Sequence, residues 1–174
     1  SSQKIYRVLS SRFKNAPASL PNPRDVPAIV DSCATARDRA QVLYPYLVAN
    51  DALVRYVVHE YVRRRSTDSP DALDVSTETL TTILRQFEYG DGSSYEYADS
   101  TTELWCQGFR SVMRDIGVLE GPRTVVGGSP SLGDTPLLVA MGYSYEEGGD
   151  RWFESPTGLR YLFQPSARWE ELYD

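Results

Sequence analysis

The chain has 174 residues, of which 41% are hydrophobic and 24% are charged. This composition is typical of one globular domain and excludes a largely disordered chain. Two cysteines and one histidine are too few for a disulfide scaffold, a four-cysteine zinc site or a histidine-rich metal site. We expect no membrane span, because no apolar run approaches about 18 residues. We expect no signal peptide, because the first residues lack an apolar stretch.

Charge is distributed unevenly along the sequence. Residues 1–65 contain 11 Lys or Arg and 5 Asp or Glu, whereas residues 66–174 contain 7 and 19. A basic amino-terminal part can face a polyanion while the acidic remainder keeps the net charge at −6. Arginine binds phosphate in a bidentate manner and supplies 16 of the 18 basic residues. Codon bias in a GC-rich genome would produce the same excess of arginine.

The first third of the chain is predicted to be helical. Residues 3–14 have the apolar spacing of a helix, and the four prolines of 16–27 indicate a loop. A short helix is expected from about residue 25 to residue 33. Another helix is expected to begin near Thr35.

The strongest helical periodicity lies in residues 43–62. This stretch is either one helix with Asn50 as a polar interruption, or two helices that meet there with Asp51 capping the second. Pro45 is expected in a first turn or at a kink. The stretch ends in Arg63-Arg64-Arg65, followed by residues that stop a helix.

Two further helices are predicted in the middle of the chain. Ser76 should cap a helix that reaches Phe87, and an acidic, tyrosine-containing loop should follow. A capping box at 100–103 should open the second helix, and Gly117 should end it. The inner stripe of that helix is expected to be Trp105, Phe109, Val112 and Ile116.

The last third contains one candidate strand and further helices. Residues 123–126 favour a strand, and helices are expected over 135–145, 155–163 and 164–173. The sequence therefore predicts a mostly α fold in one domain, with at most a short β-hairpin. A subdivision into 1–65, 76–126 and 134–174 is compatible with the same pattern.

The densest positive feature is the end of the helix in residues 43–62. There Arg63, Arg64 and Arg65 are candidate phosphate ligands. Arg55, Arg12 and Lys14 would extend the same surface. The alternative is an ordinary solvated helix end whose cations complement the helix dipole.

Residues 76–126 resemble a winged helix-turn-helix, since two helices precede a short strand. Gln107, Arg110 and Arg114 lie opposite the predicted inner stripe, where they can contact base edges or phosphates of DNA. Arg123 would lie in the wing. The alternative is an exposed helix face without a ligand.

No set of residues predicts catalysis. His59 is expected to be a surface or boundary residue of the helix in residues 43–62, and Cys33 and Cys106 are expected to be buried free thiols. No acid–base pair, nucleophile or metal-ligand pattern is present, so we expect neither an enzyme nor a cofactor. Aromatic residues cluster late in the chain, as a small satellite core or a partner-binding surface: Tyr143, Tyr145, Trp152, Phe153 and Tyr161.

Four segments together resemble one protein family. Segment 5–13 ends in an aromatic residue before a proline-containing loop, and segment 43–61 contains an Ala-Asn pair. Segment 114–120 leaves its helix through Gly-Val-Leu, and segment 137–145 is followed by Trp152-Phe153. In order and spacing they are similar to the DUF1819 family, the BrxA component of BREX bacteriophage-exclusion systems. The resemblance implies an all-helical, NusB-like bundle. It also implies a cytoplasmic, non-enzymatic accessory protein of antiphage defence with affinity for nucleic acid.

Two main functional hypotheses follow. The first is an accessory protein that binds double-stranded DNA through its arginines, with other BREX-system proteins as partners and no membrane or small-molecule substrate. The second is a protein–protein scaffold that uses the acidic, aromatic carboxy-terminal half and makes no contact with nucleic acid. A third, an RNA-binding bundle, rests on fold analogy alone.

Overall fold

The computed structural model describes residues 16–65, 72–154 and 157–164, without the side chains of Arg65, Phe153 and Glu154. Its helices are α1 Val26–Asp31, α2 Ala36–Asn50, α3 Ala52–Arg65, α4 Thr77–Leu84, α5 Asp99–Asp115, α6 Asp134–Gly148 and α7 Thr157–Tyr161, with a 3-10 turn at Gly149–Glu154. The strands β1 Leu73–Asp74 and β2 Val126–Gly127 form a two-stranded antiparallel sheet. The predicted mostly α fold is confirmed. The predicted helices 3–14 and 164–173, with Arg12 and Lys14, lie outside the described residues.

Helix α2 begins where the sequence predicts. The Thr35 hydroxyl accepts the backbone N–H of Asp38, and the Asp38 carboxylate accepts the N–H of Thr35, both at 3.0 Å. This reciprocal capping box satisfies two backbone donors that the helix itself leaves free. Pro45 lies inside α2 and not in a first turn, because α2 starts well before the periodic stretch.

The alternative of two helices in residues 43–62 is confirmed. Asp51 separates α2 from α3 with an extended backbone, at φ −111° and ψ 112°. Its carboxylate accepts the backbone N–H of Val54 at 3.0 Å, as an N-cap residue does. The polar pair Asn50-Asp51 therefore ends one helix and starts the next.

Helix α4 also follows its prediction. The Ser76 hydroxyl accepts the N–H of Thr79 at 3.3 Å. The predicted inward side chains are all buried: Leu80, Ile83, Leu84 and Phe87. The helix itself ends at Leu84, slightly earlier than expected.

The predicted start of α5 is wrong. The helix begins at Asp99 without a side-chain cap, so residues 100–103 form no capping box. Thr102 is instead buried, and its hydroxyl shares a hydrogen bond of 2.9 Å with Tyr95. Because Tyr95 is itself buried in the core, the chain is already anchored before the predicted cap and enters the helix earlier.

The predicted inner stripe of α5 is partly wrong for the same reason. Phe109 and Ile116 are buried as expected, whereas Trp105 and Val112 lie half-buried at the edge. The centre of the buried face is formed by Thr102, Cys106, Phe109 and Met113. The anchoring of Thr102 on Tyr95 fixes this rotation of the helix.

The exit from α5 leads to the small sheet. Gly117 ends the helix with φ +83°, and the N–H of Val118 returns to the carbonyl of Met113 at 2.8 Å. Glycine is favoured at this left-handed position. Strand β2 overlaps the candidate strand 123–126 only at Val126 and ends one residue later, at Gly127. It pairs Val126 with Asp74 of β1, a partner that was not predicted.

The core joins side chains from α2 to α7. Its largest fully buried apolar side chains include Leu73, Leu80, Ile83, Leu84, Met113, Ile116, Leu119, Leu159, Leu162 and Phe163. A smaller cluster packs Leu20 and Val26 against Tyr46 and Tyr143. Tyr46 also donates to the carbonyl of Pro21 at 2.6 Å, which ties the proline-containing loop to α2. Within the described ranges, no helix is both long enough and apolar enough to cross a membrane.

Candidate nucleic-acid interface

An arginine-lined cleft lies between α5, the start of α4 and the segment before β2. Its volume is about 440 Å³. We call it the arginine cleft, and its lining consists of Ser76, Thr77, Gln107, Arg110, Arg114, Pro122, Arg123 and Val125. The structure therefore brings together the predicted residues Gln107, Arg110 and Arg114 with Arg123, which the sequence placed in a wing.

Neutral oxygens hold two of the arginines in the cleft. Arg110 donates from Nη1 to the Thr77 hydroxyl at 3.0 Å. Arg114 donates from Nε to the carbonyl of Gly121 at 3.1 Å. These contacts orient the guanidinium groups without neutralising their charge, so the remaining donors can serve an anion.

The arginines of the arginine cleft form no ion pair within the described part of the chain. No carboxylate described there lies within 4.0 Å of Arg110, Arg114 or Arg123, whereas Arg37 and Arg85 form such pairs. Unpaired guanidinium groups on one wall favour an anionic ligand, since they offer fork-shaped pairs of donors that match phosphate oxygens.

The first turn of α4 forms another wall of the arginine cleft. Its positive dipole end is already occupied by an anion of the protein itself, the Asp74 carboxylate. The Asp74 carboxylate accepts from the Ser76 N–H at 2.9 Å and from the Thr79 hydroxyl at 2.6 Å. Partial burial raises the pKa of Asp74, but these hydrogen bonds outweigh it and lower that pKa below its ordinary value. Asp74 is thus an ionised second cap of α4.

A second cleft lies between α3 and α7, with a volume of about 580 Å³. We call it the aromatic cleft, and its lining consists of Tyr56, His59, Glu60, Val62, Arg63, Thr157, Arg160 and Tyr161. Only Arg63 of the predicted phosphate ligands borders it. The side chain of Arg65 lies outside the description.

The arginines at the end of α3 are partly neutralised. Arg63 pairs with Glu60 at 2.7 Å, and Arg64 approaches the same carboxylate at 3.9 Å. The hydrogen bond from Arg63 lowers the pKa of Glu60, although partial burial opposes it. Glu60 therefore stays ionised at neutral pH and offsets part of the positive charge that the sequence shows there.

Arg55 lies elsewhere on α3. It is exposed and donates from Nη1 to the carbonyl of Ala49 at 3.0 Å, across the junction with α2. It lines neither cleft. The predicted continuous surface of Arg55 with the later arginines is thus divided, because Arg55 reaches back toward the preceding helix.

His59 forms a contact that the sequence did not suggest. It is exposed on α3, and its Nε2 lies 2.7 Å from the hydroxyl of Tyr161. Burial lowers the pKa of His59, and Arg55 lowers it further, while Glu60 opposes the change. The imidazole is therefore predominantly neutral at pH 7 and offers a ring and a hydrogen bond more than a charge.

A hydrogen bond joins the two regions. The Tyr61 hydroxyl, near the end of α3, donates to the carbonyl of Asp74 in β1 at 2.5 Å. Ser76 and Thr77, which border the arginine cleft, follow two and three residues later. Sequence reasoning identified Ser76 as a helix cap but missed its place, with Thr77, in the wall of a cleft.

The cysteines form no reactive pair. Cys33 and Cys106 are both buried free thiols, as predicted. Burial raises the pKa of Cys106 above its ordinary value, so this thiol is unreactive at neutral pH. In the part of the chain that the structure describes, no group of three potential metal ligands comes together.

The chain matches none of the family models, curated proteins or solved structures with which it was compared.

Proposed function

We propose that this protein binds double-stranded DNA through the arginine cleft, as a cytoplasmic, non-enzymatic accessory protein of a BREX-type defence system. The supporting observation is the convergence of Arg110, Arg114 and Arg123 on one cleft, with no described carboxylate within 4.0 Å of them. Phosphates supply most of the affinity for such a surface, because each neutralised phosphate releases counterions.

The arrangement of α5 favours duplex DNA. Gln107, Arg110 and Arg114 follow one flank of this helix over about 10 Å. Gln107 is exposed and has the amide that reads an adenine edge, while arginines suit phosphates or guanine. Asp99 and Glu103 lie toward the amino-terminal end of α5, and Glu103 accepts from the Gln107 amide at 3.5 Å. Asp115 is exposed at the carboxy-terminal end. The part that approaches DNA is therefore the middle of α5, from Gln107 to Arg114.

The neighbouring elements share part of the element order of a winged helix-turn-helix, although residues 85–98 join α4 and α5 in place of a tight turn. Strand β1, helices α4 and α5, and strand β2 follow one another in the chain, and β1 pairs with β2 beside the arginine cleft. In this interpretation α5 is the recognition helix, and Arg123 contacts the backbone next to the groove.

The assignment to a BREX system rests on the family resemblance. Segment 43–61 forms the second half of α2 and most of α3, 114–120 forms the exit of α5, and 137–145 lies in α6. The exit segment also borders the arginine cleft through Arg114. The resemblance and the cleft share Arg114, and both support the same functional class.

Charge reversal tests the DNA-binding proposal. We expect R110E/R114E to weaken binding of a random-sequence duplex strongly, measured by fluorescence anisotropy at two salt concentrations. The slope of log K against log salt should become shallower by about 2. The matched control is R24E/R85E, which changes the net charge equally at two exposed arginines outside both clefts. Equal loss in both double variants, or no loss in R110E/R114E, would contradict a specific role for the cleft.

Helix α6 provides the observation for the scaffold alternative. Leu138 is 69% exposed and Tyr145 is 50% exposed. The two residues are two helical turns apart and lie on the same face of α6. Exposed apolar and aromatic side chains beside Glu146 and Glu147 suit a basic protein partner. Affinity capture of defence-complex proteins with and without nuclease separates the hypotheses, since only a scaffold keeps its partners after nuclease treatment.

A further inference from the structure

The aromatic cleft has the walls of a base-stacking site. Tyr56 and His59 come from α3, and Tyr161 comes from α7. Its volume of about 580 Å³ lies within the range of small-molecule and cofactor pockets. The rings of His59 and Tyr161 already contact each other across the cleft, with centroids 5.4 Å apart, so a base stacks beside this pair and not between its two rings.

The rings of this cleft are held in place by the surrounding structure. Tyr56 packs against Phe87 with ring centroids 5.1 Å apart, and its hydroxyl donates to the carbonyl of Gln86 at 3.3 Å. Tyr161 contacts Tyr143, with centroids 6.1 Å apart, and bonds to His59. Fixed rings lose little conformational entropy when a flat ligand binds.

Charged groups at the cleft suit one phosphate next to a stacked base. Arg63 and Arg160 line it together with one carboxylate, Glu60. Glu60 is ion-paired with Arg63 and lies 3.9 Å from Arg64, so it positions a guanidinium at the rim. Arginine beside aromatic rings is the combination that single-stranded nucleic acid uses in proteins.

We propose that the aromatic cleft binds an unpaired base and its adjoining phosphate from single-stranded nucleic acid. The faces of bases inside a duplex are covered by their neighbours, so only an unpaired base can enter between α3 and α7. This site is separate from the arginine cleft and goes beyond the duplex binding proposed above. Single-stranded DNA and RNA share the required chemistry.

The first experiment compares three labelled ligands of one sequence: a 15-nucleotide DNA strand, the matching RNA strand and the blunt DNA duplex. Anisotropy is measured with the wild-type chain, Y56L/H59A and R110E/R114E. We expect Y56L/H59A to weaken single-strand binding at least tenfold while duplex binding changes less than threefold. Whichever strand binds more tightly identifies the nucleic acid that supplies the base.

The arginine-cleft variant makes the two proposals separable. We expect R110E/R114E to weaken duplex binding while leaving single-strand binding within about threefold of wild type. If it abolishes single-strand binding as well, the strand uses the arginine cleft and the aromatic-cleft proposal is wrong. Absence of single-strand binding at low salt overturns the proposal too, whatever the duplex result.

Two controls address folding and the role of the hydroxyl. Y161F keeps the ring and removes the bond to His59, so single-strand affinity should stay within about threefold if stacking dominates. Photocrosslinking of wild-type protein to a strand containing 5-iodouracil needs no variant. Adducts on Tyr56, His59 or Tyr161 support the site, and adducts found only on other residues overturn it.

Discussion

The arginine cleft and the aromatic cleft both contain guanidinium groups, but their surroundings differ. Arg110 and Arg114 are held by a hydroxyl and a carbonyl, which leave their charge intact. Arg63 is held by the carboxylate of Glu60, which compensates it. The proposed duplex binding at the arginine cleft therefore depends on charge, whereas the proposed single-strand binding at the aromatic cleft depends on its rings. The density of arginines along the sequence would instead predict the strongest phosphate binding at the end of α3, where three arginines are consecutive.

The largest effect expected from single substitutions comes from two glycines at close backbone contacts, one beside each cleft. A Cβ at Gly127 would lie 2.1 Å from the carbonyl oxygen of Val118, and one at Gly158 would lie 2.2 Å from that of Ala140. Each substitution to alanine should cost about 1–3 kcal/mol in the free energy of unfolding. That cost lowers Tm by roughly 2–12 °C in a chain of this size.

The binding consequences of these glycine variants should separate. Gly127 lies in β2 beside the arginine cleft, and Gly158 lies in α7 beside the aromatic cleft. G127A should weaken the duplex more than the single strand, and G158A should do the reverse, below their unfolding transitions. The control is G108A, an exposed position in α5 with open space around it, which should gain about 0.5–1 kcal/mol. Equal effects of G127A and G158A on both ligands would mean that a structural change at either glycine reaches both clefts.

Salt dependence should distinguish the clefts next. With three arginines on phosphates, duplex binding should show a slope of log K against log salt near about −2.7. With one phosphate of a single strand held by Arg63 and Arg160, the slope should be about −0.7. Titrations at salt concentrations between about 50 and 200 mM measure both slopes. A single-strand slope as steep as that of the duplex would show that rings contribute little.

A pH dependence is expected only for the aromatic cleft. His59 faces Arg55, Glu60 and Arg63 from α3, and Arg160 and Tyr161 from α7. Its pKa is lowered from 6.5, chiefly by burial, so the free protein holds the neutral ring at pH 7.5. A bound phosphate favours the imidazolium, so binding takes up a proton.

Single-strand affinity should therefore rise a few-fold as the pH falls below about 6.5, while folding stability falls slightly. The neutral His59 contributes fully to the free energy of unfolding above pH 6.5, the pKa of the unfolded chain. This contribution is lost as the pH drops through the lower pKa of the folded state. Duplex affinity should change little between pH 7.5 and 6, because no histidine lines the described arginine cleft. Anisotropy and thermal melts of wild type and H59A across this range measure both effects. If single-strand affinity does not change with pH, His59 does not interact with the bound phosphate.

The smallest effect is expected from Y61F. The Tyr61 hydroxyl bonds to the carbonyl of Asp74, so its removal should cost about 1 kcal/mol and lower Tm by roughly 2–4 °C. Both affinities should stay within about twofold, because this bond supports β1 without entering either cleft. A larger loss for either ligand would show that the bond transmits a change between α3 and the arginine cleft.

Local patterns allowed the correct prediction of several elements. Ser76 and Gly117 bond to residues within about four positions along the chain, so the local sequence predicts their caps, and it also predicts the helix start near Thr35. The position of Gln107, Arg110 and Arg114 on one flank likewise follows from helical periodicity.

Contacts between distant segments were not predictable in the same way. The bond of His59 to Tyr161 spans 102 residues, and no motif links them. The rotation of α5 depends on where Tyr95 packs, which hydrophobic periodicity within the helix does not record. Likewise, β1 has only two residues and no alternating pattern of its own, so its pairing with β2 is set by the tertiary fold.

That pairing has a consequence for the order of folding. Thr77 follows β1 and Arg123 precedes β2, so the two walls of the arginine cleft meet only when these strands pair. The pairing comprises two residue pairs, Leu73 with Gly127 and Asp74 with Val126, plus a bond from Val75 to Val125 at 2.7 Å. Loop-closure entropy must be overcome before such contacts form. We therefore expect α4 and α5 to form before the arginine cleft is complete, and the proposed DNA binding to require a chain that extends beyond Gly127.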